Sequence, residues 1–145
     1  MTREELIEQA GALTQPGAAH VREYEACREI MVAELNRLMN GRPDIEQLIG
    51  AGNFDMMCDN HQHHALFMGS LLIDYKPEAF VNTVIWVLKS YRAHGFSLRY
   101  WDVQLEAWLG LLQRHLSAEA YAAIHPFYAF ILSHQPHLAR LGDSS

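Results

Sequence analysis

A chain of 145 residues fits one domain, and a domain of that size buries about 68–70% of the surface its unfolded form exposes. Half of the residues are apolar, with three Trp, six Tyr and six Phe, which excludes a disordered chain, and a net charge of −6 without a basic run points away from nucleic acid. Two cysteines, Cys27 and Cys58, form no C-x-x-C pair, which argues against a disulfide scaffold or zinc ribbon and fits a reducing, cytoplasmic setting.

In chain order, Thr2-x-x-Glu5 makes a capping box that predicts a short helix over 2–15, stopping before Pro16-Gly17. The acidic start of this helix is unlike a secretory signal. A long helix follows over 18–39, ended by Gly41-Arg42-Pro43, with His20, Tyr24, Cys27, Met31, Leu35 and Leu38 on one face. Ile45 to Ile49 forms a helical turn closed by Gly50 and Gly52.

The central histidine-rich helices span 54–116. Asn53 is placed to cap the first of them, Phe54 to Tyr75. Pro77 suits the first turn of the next, which reaches His94 and is closed by Gly95. The third is capped by Ser97 and runs from Leu98 to Leu116. Its Leu98, Trp101, Leu105, Trp108, Leu109, Leu112 and Leu116 make an unbroken apolar stripe.

Ser117 opens the last helix, over 117–141, where Ile124, Phe127, Tyr128 and Ile131 point one way. Pro126 should kink or restart it, because proline removes a backbone donor. The tail 142–145 is polar and is expected to fray. No strand alternation occurs, and the most apolar run, Ala79 to Leu88, is too short to cross a bilayer. The predicted fold is all-α, a single-domain array of six to seven helices.

The stretch Asp59-Asn60-His61-Gln62-His63-His64 carries the strongest chemical signal. At 100° per residue His61 falls in the middle of a face made by Phe54, Met57, Cys58, Ala65, Met68 and Leu72. His64 flanks that face one turn on, while His63 lies on the wet side. A buried imidazole without a partner costs about 1–3 kcal/mol, so these two predict a partner: a metal, a haem-like cofactor, a ligand, or ordinary Tyr, Asn or backbone groups. The i, i+3 spacing lets His61 and His64 share a metal, although no Glu-x-x-His or His-Glu-x-x-His motif accompanies them.

Around the corner after the second central helix, Lys89, Arg92, His94 and Arg99 form the one local positive patch. It is able to hold acidic groups such as propionates, or simply to complement a helix C-terminus. Trp86 faces away from the stripe of Phe80, Val84, Val87, Leu88 and Tyr91, so that helix is either sandwiched or covered by something else. His115, His125, His134 and His137 read as surface or capping residues, and the two thiols as inert. No Gly-x-Ser-x-Gly, P-loop or dinucleotide fingerprint is present.

The run His94-Gly95-Phe96-Ser97-Leu98-Arg99-Tyr100-Trp101, followed by a long amphipathic helix and a final aromatic one, resembles the last two helices of globins. It is also similar to the non-haem, globin-like sensor modules of bacterial stress-signalling proteins. The resemblance covers the last 80 residues or so. It implies a globin-like array with His61 or His64 near the distal position of a haem and His94 on its second side. The turn before the corner offers Ser90, Tyr91 and Arg92 where globins keep a proximal histidine.

The leading expectation is a sensory domain binding a small ligand, haem or a transition metal between the Phe54–Tyr75 and Pro77–His94 helices. His61 and His64 would contact the ligand or metal, Tyr91, Trp101 and Trp108 would wall the pocket, and Lys89, Arg92 and Arg99 would stand at its mouth. Two other readings compete. One is a cofactor-free module that dimerises or binds a protein partner, with Trp86 and Trp101 as exposed anchors. The other is a small metal-dependent enzyme using His61, His64 and a nearby carboxylate. Neither nucleic acid nor membrane insertion is expected.

Overall fold

The computed structural model describes residues 1–143, and all its regular elements are helices. They are α1 (Arg3–Ala10), α2 (Ala18–Asn40), α3 (Ile45–Ile49), α4 (Phe54–Ile73), α5 (Pro77–Ala93), α6 (Leu98–His115) and α7 (Ala118–Asp143). The apolar stripes need one another to leave water, so the chain is an all-α array around one core. No helix among the described residues is long and apolar enough to cross a membrane.

The centre is α2, α6 and α7, each packed on the other two. Helix α6 supplies Trp101, Leu105, Trp108 and Leu112 of the expected stripe together with Leu111, which is buried where Leu98 and Leu109 are only partly so, and α7 supplies Ile124, Phe127, Tyr128 and Ile131, all buried. Helix α4 lies mainly against α2, and α5 mainly against α7 and α1. Consecutive α4 and α5 therefore sit on different neighbours, and a gap opens between them. The short α3 rests on α6.

Local chemistry sets the ends. Thr2 Oγ1 accepts from the Glu5 N–H and Glu5 Oε1 from the Thr2 N–H, a complete capping box. Ser97 and Ser117 cap α6 and α7 by accepting from the Tyr100 and Ala120 N–H groups. Gly95 turns the corner at φ +100°, in left-handed backbone open mainly to glycine.

Four expectations need correction. Asn53 does not cap α4 with its side chain. Its amide Nδ2 instead donates to the carbonyls of Ile49 (2.8 Å) and His94 (2.7 Å), pinning the α5–α6 corner to the α3–α4 turn. On α2, Leu38 is half exposed and Met39 is buried in its place, because contacts with both α4 and α6 rotate the inner face toward Val32, Leu35 and Met39. Helix α7 runs unbroken through Pro126 and Pro136, its buried face outweighing the missing donors. Helix α1 ends at Ala10, and the segment after it lies along the end of α4. There Gln15 Nε2 donates to the Ile73 carbonyl, Gln15 Oε1 accepts from the Tyr75 N–H, and the Tyr75 hydroxyl donates to the Ala10 carbonyl. Of the tail expected to fray, Gly142 and Asp143 are helical, and residues 144–145 lie outside the described part.

Candidate functional site

The gap between α4 and α5 is a cavity of about 380 Å³, floored by Trp101 and Leu105 of α6 and Ile131 of α7. Pockets of about 300–1,000 Å³ are the size that small molecules occupy. Each wall follows from helical spacing. Asn60, His64 and Phe67 (i, i+4, i+7) face it from α4, and Thr83, Val87 and Tyr91 (i, i+4, i+8) from α5. Trp86 stands at its rim, 66% exposed.

The structure divides the two histidines expected to act together. His61 turns to α2, where its Nδ1–H donates to Asn36 Oδ1 at 2.6 Å. With the proton on Nδ1, the buried Nε2 is a bare acceptor, and it has no partner. Burial, with a smaller contribution from the neighbouring His64, lowers the His61 pKa to about 3. His61 does not line the cavity. His64 does, wedged between Trp108 (ring centroids 5.6 Å apart) and Tyr128 (5.3 Å). Its Nε2 is buried and unpaired, and burial lowers its pKa to about 4, so the ring is neutral at physiological pH.

Tyr91, Trp101 and His94 line the same cavity. Tyr91 and Trp101 meet edge to face at 5.8 Å in a cluster with Phe96 and Tyr100. Burial raises the Tyr91 phenol, and a hydrogen bond with Asn60 partly offsets it. His94 is exposed at the end of α5, its Nδ1–H donating to the Ser90 carbonyl at 2.9 Å. Trp108 is fully buried behind His64 and does not line the cavity. Trp101 is 3% exposed, so it is no surface anchor, because its stripe position faces α7 and the core; Trp86 alone of the two is outside.

The positive corner is arranged differently from the expected mouth. Lys89, Arg92 and Arg99 do not line the cavity. Arg92 Nη1 donates to Asp143 Oδ1 at 2.6 Å, and Arg99 Nη1 to Asp44 Oδ2 at 3.0 Å, so both guanidiniums hold carboxylates of this chain. Lys89 is exposed and lies beside Gly142.

Sequence reasoning did not single out Asn60 or Gln104, yet both are buried on the inner side of this site. Asn60 Oδ1 accepts from the Tyr100 hydroxyl (2.7 Å) and from Gln104 Nε2 (3.0 Å). The available signal was spacing: Asn60 precedes His64 by four residues, and a polar residue there shares its face. Around this network Trp101 Nε1, Trp108 Nε1 and Gln104 Oε1 have no hydrogen-bond partner.

Among the described residues, no group of three or more His, Cys, Asp and Glu side chains is arranged to hold a metal ion. The outer histidines hold protein groups: His115 pairs with Glu34 (3.0 Å), His125 and His134 reach the Tyr121 and Phe130 carbonyls, and His137 lies on the N-terminal amine. Cys27 and Cys58 are free thiols, half-buried and raised in pKa by burial. Compared with family models, curated proteins and solved structures, the chain matches none.

Proposed function

We propose that this protein is a ligand-binding domain of the sensory kind, which takes up a small molecule between α4 and α5. The observation that carries the reading is a cavity of about 380 Å³ lined by His64 and Trp101, two side chains whose ring nitrogens Nε2 and Nε1 are buried without a hydrogen-bond partner. Buried polar groups are paired in the great majority of cases, and a pocket with a few unpaired ones is suited to a ligand that completes them.

A haem would be held by His64 and His94, which line the same cavity, and would supply diatomic-gas or redox chemistry when bound. The neutral imidazole of His64 suits that role. Arg92 and Arg99 do not suit the propionates, since both are already paired with Asp143 and Asp44. A small organic ligand is therefore the better form of the reading. The globin-like arrangement remains part of the proposal only through that histidine pair.

The test is a heteronuclear NMR titration with a panel of one- and two-ring uncharged compounds, alongside visible spectra before and after added haem. Saturable shifts around the cavity, lost in Val87→Trp, are expected. Absence of saturable binding, or binding indifferent to Val87→Trp, overturns the reading.

One observation favours a second reading, a partner-binding surface. Trp86 is 66% exposed on α5, where a large aromatic is costly to leave in water. Sedimentation that finds a dimer or a captured partner only while Trp86 is present would favour it.

A further inference from the structure

The cavity has a long axis and two unlike ends, which narrow the shape of its occupant, an inference that rests on the reading of the cavity as a ligand site. Asn53 Nδ2 donates to the His94 carbonyl, and the side chains of Asn60 and Tyr91 are hydrogen-bonded. A connection of three residues, 74–76, joins the opposite ends of α4 and α5, so the two helices run antiparallel. The lining extends from Met56 to Phe67 on α4 and from His94 back to Thr83 on α5, eleven steps on each, or about 16 Å at about 1.5 Å per residue. A volume of about 380 Å³ spread over that length leaves a mean width of about 5 Å, one hydrocarbon chain given carbon contacts of about 3.5–4.0 Å.

Polar side chains are unevenly placed along this slot. At the far end stand Phe67 and Val84, with Thr83 the one polar neighbour. At the near end Ser90, Tyr91 and His94 come together, and His94 is exposed. Between the ends, Leu105 and Ile131 lie in the floor, His64 in the wall, and the exposed His63 and Trp86 along the opening. Asn60 is committed to Tyr100, Gln104 and Tyr91, so it adds little to the polarity a ligand meets. An occupant with one apolar and one polar end matches this gradient, since its head stays in reach of water while its tail leaves it. Carbon bonds of about 1.5 Å at about 111° advance about 1.25 Å per carbon, so about 16 Å takes about twelve carbons.

We propose that the cavity binds one unbranched aliphatic chain of about ten to twelve carbons, its methyl end beside Phe67 and Val84 and a small hydrogen-bonding head at Ser90 and His94. Width sets this class apart from branched and cage-like bodies. Length sets it apart from one- and two-ring compounds, which are thin enough to enter but leave part of the slot unfilled.

The test is a titration with straight-chain 1-alkanols of increasing length, from 1-hexanol to 1-tetradecanol, below saturation, with 1-naphthol as the ring comparison. Each added methylene should tighten binding about fourfold, and the gain should stop near twelve carbons. The ring compound 1-naphthol should bind at least tenfold more weakly than 1-decanol. Nuclear Overhauser contacts of bound 1-decanol should join its methyl group to Phe67 and Val84 and its C1 methylene to Tyr91 and His94. In Thr83→Phe, which shortens the slot at a half-buried position, the gain should stop two or more carbons earlier with 1-hexanol unchanged. The wild-type series and the contacts decide by themselves if that variant does not fold. A gain that continues unbroken through 1-tetradecanol, reversed contacts, equal or tighter binding of 1-naphthol, or a stoichiometric haem complex overturns the ligand class and leaves the ligand site standing. No saturable binding by any probe, or binding indifferent to Val87→Trp, overturns both.

Discussion

His61 and His64 are three residues apart and share one physical consequence of burial, a preference for the neutral ring. Their pKa values of about 3 and about 4 lie below the 6.5 of an exposed imidazole. Between those values the unfolded chain binds protons that the folded chain refuses. Stability is therefore unaffected above pH 6.5 and is lost as the pH falls toward the folded values. At pH 5 the cost for fully buried His61 is about 2 kcal/mol, taking 1.36 kcal/mol for each pH unit below 6.5. Urea unfolding at pH 7 and pH 5 should show this loss, and His61→Gln should shrink the difference between the two pH values even if its absolute stability is lower. A pH difference the same size in the variant would remove His61 from the account.

At the scale of the element, helix ends and glycines carry opposite signs. Gly95 has φ +100°, and a Cβ added there meets no atom closer than 3.7 Å, so the penalty of Gly95→Ala is backbone strain rather than collision. It should cost about 1–2 kcal/mol. Gly110 lies within α6 on an exposed position, with nothing within 4 Å of an added Cβ. Gly110→Ala should gain about 0.5–1 kcal/mol from helix propensity. Thermal unfolding of the two variants should move in opposite directions, and a shared direction would contradict this account. The corner around Gly95 is also where local reading fell short. Asn53 looked like a cap because Asn often is one, but the nearby Ile49 and His94 carbonyls claimed its amide.

Across the whole molecule, three helices meet at one pair of phenols. The Tyr24 hydroxyl of α2 donates to the Ala65 carbonyl of α4 and is 2.9 Å from the Tyr128 hydroxyl of α7, with both rings fully buried. Tyr24→Phe strands the Tyr128 hydroxyl and should cost about 1–3 kcal/mol. Adding Tyr128→Phe should restore part of that loss, because no unpaired hydroxyl then remains. A double variant as unstable as the sum of the single ones would rule out coupling through this bond.

The helical class was legible from sequence because 3.6-residue periodicity, caps and prolines are properties of neighbours along the chain. The stripes on α6 and α7 name the centre of each buried face, but Leu98 and Leu109 are only partly buried, and Tyr100, Gln104 and Leu111 on α6 and Phe130, Gln135 and Leu138 on α7 are buried beyond the residues named. Burial of His61 was equally readable, since it sits in the middle of an apolar face. The same reasoning could not separate His61 from His64. That depended on α4 lying on α2 while α5 lies on α7, which turns His61 toward Asn36 and leaves His64 on the gap. Nor could it find that Arg92 and Arg99 are taken by Asp143 and Asp44, distant in sequence by 51 and 55 residues. A stripe determines that a face must be covered. Which helix covers it, at what angle, and what space is left between α4 and α5 are set only by how the helices pack together.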